Sequence, residues 1–210
     1  MTTLEPGAAP NLIERAKNII LTPNTEWDRI KGETTPLPQL IMGYALPLIA
    51  LAAVCAFVGM AFIGIQVPFA GSIRVPMTTA LGTAVVQIVL GVAWVWALGL
   101  IINAIAPSFG STQDQGPANK GAVYSSTAGW LAGVFAIFPP IAMLSIVGLY
   151  SLFLLWLGLP KLMNTPEDKK VGYFASVLVI AILGAIVIGI AASGVQGALG
   201  MGAAMRGGVF

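Results

Sequence analysis

The sequence predicts an all-α membrane protein, a bundle of five transmembrane helices preceded by short amphipathic cytoplasmic helices. Of its 210 residues, 57% are hydrophobic and only 9% are charged, whereas a typical soluble domain is roughly 25% charged. Several uncharged apolar segments exceed the ~20 residues that cross the hydrocarbon core of a bilayer. The basic residues cluster in polar segments assigned to one side of the membrane. These three observations argue against a soluble domain of this size.

Residues 1–39 are predicted to form a cytoplasmic N-terminal segment that contains two short helices. Asn11 is a favourable N-cap, and Glu14 three residues later completes a variant capping box. Apolar residues then recur at helical spacing, while Glu14, Arg15 and Lys17 take the polar face. This first helix is expected to lie on the membrane surface or to pack on the cytoplasmic ends of the spans, and both can hold together.

A second short helix begins at Pro23 and carries Trp27, an aromatic residue suited to a water–lipid boundary. The remaining chain, residues 40–210, is predicted to form one five-span transmembrane domain. The predicted spans cover residues 40–65, 78–106, 122–138, 141–159 and 171–192.

The apolar stretch from residue 122 to residue 159 is too long for one crossing and is divided by Pro139-Pro140. Paired prolines favour a tight turn because the second cannot donate a helical hydrogen bond and the first cannot easily stay helical before it. Two spans are therefore expected here. Since residues 122–138 make a short span, a re-entrant hairpin is the alternative for that segment.

The distribution of basic residues predicts the orientation. With five spans, eight Lys and Arg fall on the side of the N-terminus and only Arg74 and Arg206 fall on the other. The eight are Arg15, Lys17, Arg29, Lys31, Lys120, Lys161, Lys169 and Lys170. The positive-inside rule then places the N-terminus in the cytoplasm and the C-terminus outside.

The composition provides little catalytic chemistry. The chain has no histidine and a single cysteine, Cys55, within an apolar run. No Asp, Glu, Lys or Arg lies inside a predicted span, and no nucleophile–base pair or phosphate-binding loop is evident. We therefore expect no enzyme activity, no cofactor and no metal site. A net charge of +2 without a basic cluster also argues against nucleic-acid binding.

Two amides are candidate intramembrane polar contacts, Gln87 and Asn103. An interhelical hydrogen bond is favoured over contact with a solute at Gln87, because a lone amide is poorly accommodated by lipid.

Small residues recur every four positions in the fifth predicted span and its extension, which we call the small-residue ladder. Its members are Ala181, Ala185, Gly189, Ser193 and Gly197. Such a ladder lets two helix backbones approach closely. It predicts packing against another span of the same chain or, alternatively, a homo-oligomer interface.

The stretch Tyr150–Lys170, YSLFLLWLGLPKLMNTPEDKK, and the segment LTPNTEWDRIKGE with Pro23 and Trp27 carry a family resemblance. Both resemble the Yip1 family of multi-span membrane proteins, in its bacterial branch. The resemblance in layout covers nearly the whole chain. It implies a five-span helical bundle with a cytoplasmic N-terminus, located in the bacterial cytoplasmic (inner) membrane.

The expected function is that of a non-enzymatic membrane organiser or scaffold that recruits partners or lipids. The candidate cytoplasmic interface comprises Trp27, Lys161, Lys169 and Lys170. The expected partners are the lipid bilayer, a second copy of the chain, and a cytoplasmic or membrane protein. The alternative is a passive channel, transporter or lipid-translocating protein, which the proline-broken helices would suit.

Overall fold

The computed structural model of the protein describes residues 11–67 and 71–198, which are predominantly helical. The α-helices are α1 (Leu12–Leu21), α2 (Pro23–Gly32), α3 (Leu37–Leu40), α4 (Leu46–Val58), α5 (Met77–Ile105), α6 (Gln115–Ser125), α7 (Thr127–Ala132), α8 (Tyr150–Leu162) and α9 (Lys170–Ala198). The π-helical segments are Ile41–Ala45 and Gly59–Ile63, on either side of α4. The 3-10 segments are Ala106–Phe109, Gly133–Ile137, Pro139–Leu149 and Glu167–Lys169.

A short antiparallel ribbon connects the first two membrane-length helical stretches. Strand β1 (Ile65–Val67) pairs with β2 (Gly71–Ile73), and Gln66 lies opposite Ser72. The segment between the first two predicted spans therefore contains a two-stranded ribbon.

Four helical stretches among the described residues are long and apolar enough to cross a membrane. They are Leu37–Ile63, Met77–Phe109, Ile141–Met163 and Glu167–Gly197. These four correspond to the first, second, fourth and fifth predicted spans. Only 6% of the most apolar part of Glu167–Gly197 is buried inside the protein, so this stretch depends on lipid or another chain to cover it.

The third predicted span, residues 122–138, is not one continuous helix. It comprises the end of α6, the short helix α7 and the 3-10 segment Gly133–Ile137. Ser126 Oγ donates to Ala122 O at 2.8 Å and Thr127 Oγ1 donates to Tyr124 O at 2.7 Å. Such bonds from Ser and Thr to the preceding turn bend helices, which accounts for the break. The count of five spans is not confirmed.

The predicted break at Pro139-Pro140 is present. The 3-10 segment that ends at Ile137 is followed by Phe138, which is extended with φ −125 and ψ 94, and a second 3-10 segment begins at Pro139. The two segments pack against each other, and α7 packs on the second one. We call residues 127–149 the apolar hairpin.

The buried core lies towards one end of the bundle. There α1 and α2, which we call the N-terminal hairpin, pack with α6, α8 and the last turns of α5. The largest fully buried side chains in this region include Trp27, Ile102, Leu154, Tyr173 and Val123. We call this region the hairpin end of the bundle.

Candidate functional site

Trp27 anchors the N-terminal hairpin to α8. Its side chain is fully buried, and its indole ring lies against Gly158. A Cβ atom at Gly158 would lie only 2.5 Å from the ring, so the contact between Trp27 and α8 requires a glycine at this position. The ring also meets Tyr124 of α6 edge-on, with 6.5 Å between the centroids.

Arg15 connects the two helices of the N-terminal hairpin. Its guanidinium is buried and forms salt bridges with Glu26, at 2.5 Å, and with Glu33. It also lies 5.4 Å from the centroid of the Tyr124 ring, within range of a cation–π interaction. Arg15 was predicted on the solvent-facing side of α1, and this prediction is wrong because the two carboxylates compensate the charge inside the protein.

The protonation state of Arg15 follows from these contacts. Burial by itself would lower the pKa of the guanidinium, but Glu33, Tyr124 and Glu26 together raise it by more. The pKa of Arg15 is therefore above its usual value, and the residue keeps its charge inside the site.

Lys120 attaches α6 to the end of α2. Its Nζ donates to Ile30 O at 2.8 Å and to Glu33 O at 2.7 Å. These carbonyls lie at the C-terminus of α2, where unpaired acceptors and the helix dipole favour a cation. Burial lowers the pKa of Lys120, and the Glu33 and Asp114 carboxylates act in the opposite direction.

A third group of contacts connects the hairpin to α8 and the loop that follows it. Lys161 Nζ donates to Asn24 O at 2.9 Å and to Asp28 Oδ1 at 2.8 Å. Lys31 Nζ donates to Asn164 Oδ1 at 2.7 Å. The N-terminal hairpin is therefore held by polar contacts from α6 and from α8, in addition to its apolar packing.

The four residues of the candidate cytoplasmic interface do not form one exposed patch. Trp27 is buried, which differs from the expectation of a residue at a water–lipid boundary. Lys161 lies at the contact between α2 and α8. Lys169 is exposed in the 3-10 segment that follows α8, and Lys170, the first residue of α9, pairs with Glu167 at 2.5 Å.

The two intramembrane amides lie in different environments. Asn103 Nδ2 donates to Gln115 Oε1 at 2.9 Å, and Gln115 in turn donates to Asn119 of α6 at 2.7 Å. Asn103 therefore contributes to packing between α5 and α6. Gln87 is exposed on α5 and has no hydrogen-bond partner within residues 11–67 and 71–198.

The small-residue ladder is mostly unpaired within the described chain. Ala181 is half-buried and packs on the core, whereas Ala185, Gly189, Ser193 and Gly197 are exposed. A Cβ atom at Gly189 or Gly197 would have no described atom within 4 Å. Close packing of α9 occurs instead at Gly184, where a Cβ atom would lie 2.9 Å from Trp94 of α5.

Sequence reasoning missed the buried salt bridges of Arg15 with Glu26 and Glu33, and the bonds from Lys120 to the end of α2. One signal was available, because Arg15 lies beside Ala16 and within one turn of Ile19, on the buried side of α1. Among the described residues, no group of three His, Cys, Asp or Glu side chains lies close enough together to hold a metal ion.

Comparison with known proteins gives a family and two curated relatives. The family model for the Yip1 domain matches residues 17–189. The chain is 26% identical over 165 residues to the inner membrane protein YohC of Escherichia coli K12, covering 77% of this chain and 85% of the relative. The same values hold for YohC of Escherichia coli O6:H1. No solved structure matches the chain significantly.

Proposed function

Because this chain belongs to the Yip1 domain family, we propose that it acts as a non-enzymatic organiser of the inner membrane. In this role the N-terminal hairpin presents a fixed surface that recruits a cytoplasmic or membrane protein. The observation that carries the proposal is the way the hairpin is held. Its inner side is attached by Trp27, Arg15 and Lys120, which leaves the outer side of α2 as a rigid polar surface.

The outer side of α2 is suited to protein contact. Asn24, Thr25 and Asp28 are exposed there, and the backbone beneath them is fixed by Lys161. A surface that is ordered before binding loses less conformational entropy when a partner binds. A flexible tail would recruit a partner at a larger entropic cost.

The proposal includes a five-span topology with the N-terminus in the cytoplasm and the C-terminus outside. A 3-10 helix rises about 2.0 Å per residue against about 1.5 Å for an α-helix. The 3-10 segments Gly133–Ile137 and Pro139–Leu149 therefore give the apolar hairpin more reach than the same residues would have as α-helix. This geometry supports two membrane crossings by residues 122–159, although residues 122–138 would make a short span as α-helix.

The proposal also includes a homo-oligomer formed through α9. Support comes from the exposed ladder residues Ala185, Gly189 and Ser193, which have no second helix against them in the described chain. Exposed Gln87 on α5 is a second candidate contact, since an amide in hydrocarbon is stabilised by a hydrogen bond across helices.

Recruitment is tested in native membranes with a photo-crosslinking amino acid at Thr25. The expected result is one reproducible protein adduct, which disappears when the neighbouring exposed Asn24 is changed to Arg. The matched control carries the crosslinker at Ile190, an exposed apolar position on α9. Absence of a Thr25 adduct, or an adduct that survives Asn24→Arg, would contradict the organiser role.

A second candidate function is passive translocation of lipid or small solutes. The apolar hairpin favours it, because eleven consecutive residues of 3-10 helix are unusual and often mark a hinge. Purified protein in liposomes would then flip labelled lipid or leak small ions well above a mock preparation. Fluxes equal to the mock would eliminate this candidate.

A further inference from the structure

The outward side of α1 is apolar even though the helix is already docked on the protein. Ala16 and Ile19 are buried on its inner side. On the other side, Ile13 is 77% exposed and Leu21 is 66% exposed. A helix that turns one side to protein and the other to water would have polar residues at those outward positions. The helix α1 therefore has apolar residues on both sides.

A groove of about 440 Å³ lies along this outward side. Ile13, Lys17 and Leu21 of α1 form one wall. The other wall comes from Leu48 and Leu51 of α4 and from Leu131 of α7. Lys17 is the single charged residue in this lining.

The groove is continuous with the lipid-facing surface of a membrane span. Leu51 lies within the candidate span Leu37–Ile63 and is 43% exposed, so its outer side faces hydrocarbon in a bilayer. The helix α1 forms a wall beside that surface. A lipid of the adjacent leaflet is therefore the molecule that reaches the groove without leaving the bilayer.

The charge at the groove indicates the class of lipid. Lys17 is exposed and has no carboxylate partner within the part of the chain that the structure describes. A lysine whose stem lies along apolar side chains extends its ammonium towards the head groups. That position favours an anionic head group.

We propose that the groove between α1, α4 and α7 binds one anionic phospholipid, with an acyl chain along Leu48, Leu51 and Leu131 and the phosphate at Lys17. The site does not depend on the recruitment of a protein partner. It would hold α1 at the membrane surface through lipid on one side, while Arg15 and Trp27 hold the N-terminal hairpin on the other.

The test uses the full chain in nanodiscs of phosphatidylcholine and phosphatidylglycerol. A trace of phosphatidylglycerol with a diazirine in its acyl chain is photolysed, and labelled peptides are counted. The expected result is denser labelling of α1 and α4 than of the exposed α9 face around Ile190. Lys17→Gln is expected to reduce that labelling about fivefold, since one lysine near an anionic surface has an effect of this size. A phosphatidylcholine probe should show weaker labelling that Lys17→Gln leaves unchanged.

Leu51→Trp fills the groove and is expected to abolish the labelling. Lys169→Gln is the matched control for charge and Ile190→Trp for bulk, because both positions are exposed and remote from the groove. If Leu51→Trp fails to fold, Lys17→Gln decides, since an exposed lysine contributes little to folding. Equal labelling of α1 and α9, or no effect of Lys17→Gln, would overturn the site and leave only bulk lipid. Disulfide-linked dimers of an Ile13→Cys, Cys55→Ala variant would assign the groove to a second copy and equally overturn it.

Discussion

The Arg15 guanidinium on α1 lies 2.5 Å from the Glu26 carboxylate on α2, and both side chains are almost completely buried. In a buried ion pair, the attraction between the two charges mainly offsets the cost of removing each of them from water. The pair fixes the angle between two helices that share few other polar contacts. It joins α1 and α2 into one unit of the folded protein.

Replacing Arg15 is expected to open the N-terminal hairpin. Arg15→Ala leaves Glu26 charged and buried, which costs about 3–5 kcal/mol in comparable sites. Trypsin should then cleave rapidly after Lys31, whose backbone is helical in the docked hairpin. Lys169→Ala, which removes an exposed lysine outside the hairpin, is the control and should leave the rate of cleavage after Lys31 unchanged. Wild-type cleavage of Arg15→Ala would show that the ion pair is dispensable.

A methyl group at Gly158 is expected to displace Trp27. The added Cβ would lie 2.5 Å from the indole ring, so α2 has to move away from α8. Gly158→Ala should lower the melting temperature and speed proteolysis of the N-terminal hairpin. The control is Gly194→Ala, where a Cβ meets no described atom within 4 Å and alanine is the better helix former. Equal melting temperatures for the two variants would disprove this account of the α2–α8 contact.

Lys120 is expected to make stability depend on pH at alkaline values. Its pKa is lowered from 10.5 by burial, so the unfolded chain binds the proton more tightly than the folded one. The contribution of Lys120 to the free energy of unfolding therefore rises with pH between its lowered pKa and 10.5. Lys120→Met should lose about 1–3 kcal/mol, because two carbonyls lose their donor.

Denaturant titrations of wild type and Lys120→Met at a series of pH values measure this effect. The difference between the two proteins isolates Lys120 from the tyrosines, which also titrate at high pH. That difference should grow as the pH rises through the window. A constant difference would mean that the ammonium is not penalised in the folded state.

A larger side chain in the small-residue ladder is expected to weaken the proposed homo-oligomer. Gly189→Leu places a large side chain where no described atom lies within 4 Å, so the single chain should tolerate it. The mass in mild detergent should fall towards that of one chain. Ile190→Leu, at the adjacent exposed position, should leave the mass unchanged. An unaltered mass for Gly189→Leu would remove the ladder as an interface, and Gln87→Leu would then be the next variant.

A C-terminal fusion tests the proposed topology. With five spans and a cytoplasmic N-terminus, alkaline phosphatase fused after Phe210 should be active, because this enzyme matures only outside the cytoplasm. A green fluorescent protein at the same place should not fluoresce. The reverse pattern would indicate an even number of spans, with residues 122–138 entering the membrane without crossing it while Ile141–Met163 still crosses.

The sequence allowed local features to be predicted closely. The second span was expected at 78–106 and α5 is Met77–Ile105. The N-cap at Asn11 is confirmed, since its side chain accepts a hydrogen bond from Glu14 N, and Pro139-Pro140 breaks the chain where expected. These features depend on hydrophobicity, capping and the missing proline donor, which act over a few residues.

The membrane location and the Yip1 family were likewise determined by the sequence itself, since an apolar composition and local motifs are properties of the chain alone. Only the tertiary structure decided that Trp27 and Arg15 are buried and that the ladder beyond Ala181 is exposed. A tryptophan on one side of a helix suits either a lipid boundary or a protein core. Here Trp27 is in the core because Gly158 of α8 lies opposite its ring. Arg15 is buried where Glu26 and Glu33 both reach it, and that arrangement depends on how α1 folds against α2 and on the Tyr124 ring of the more distant α6.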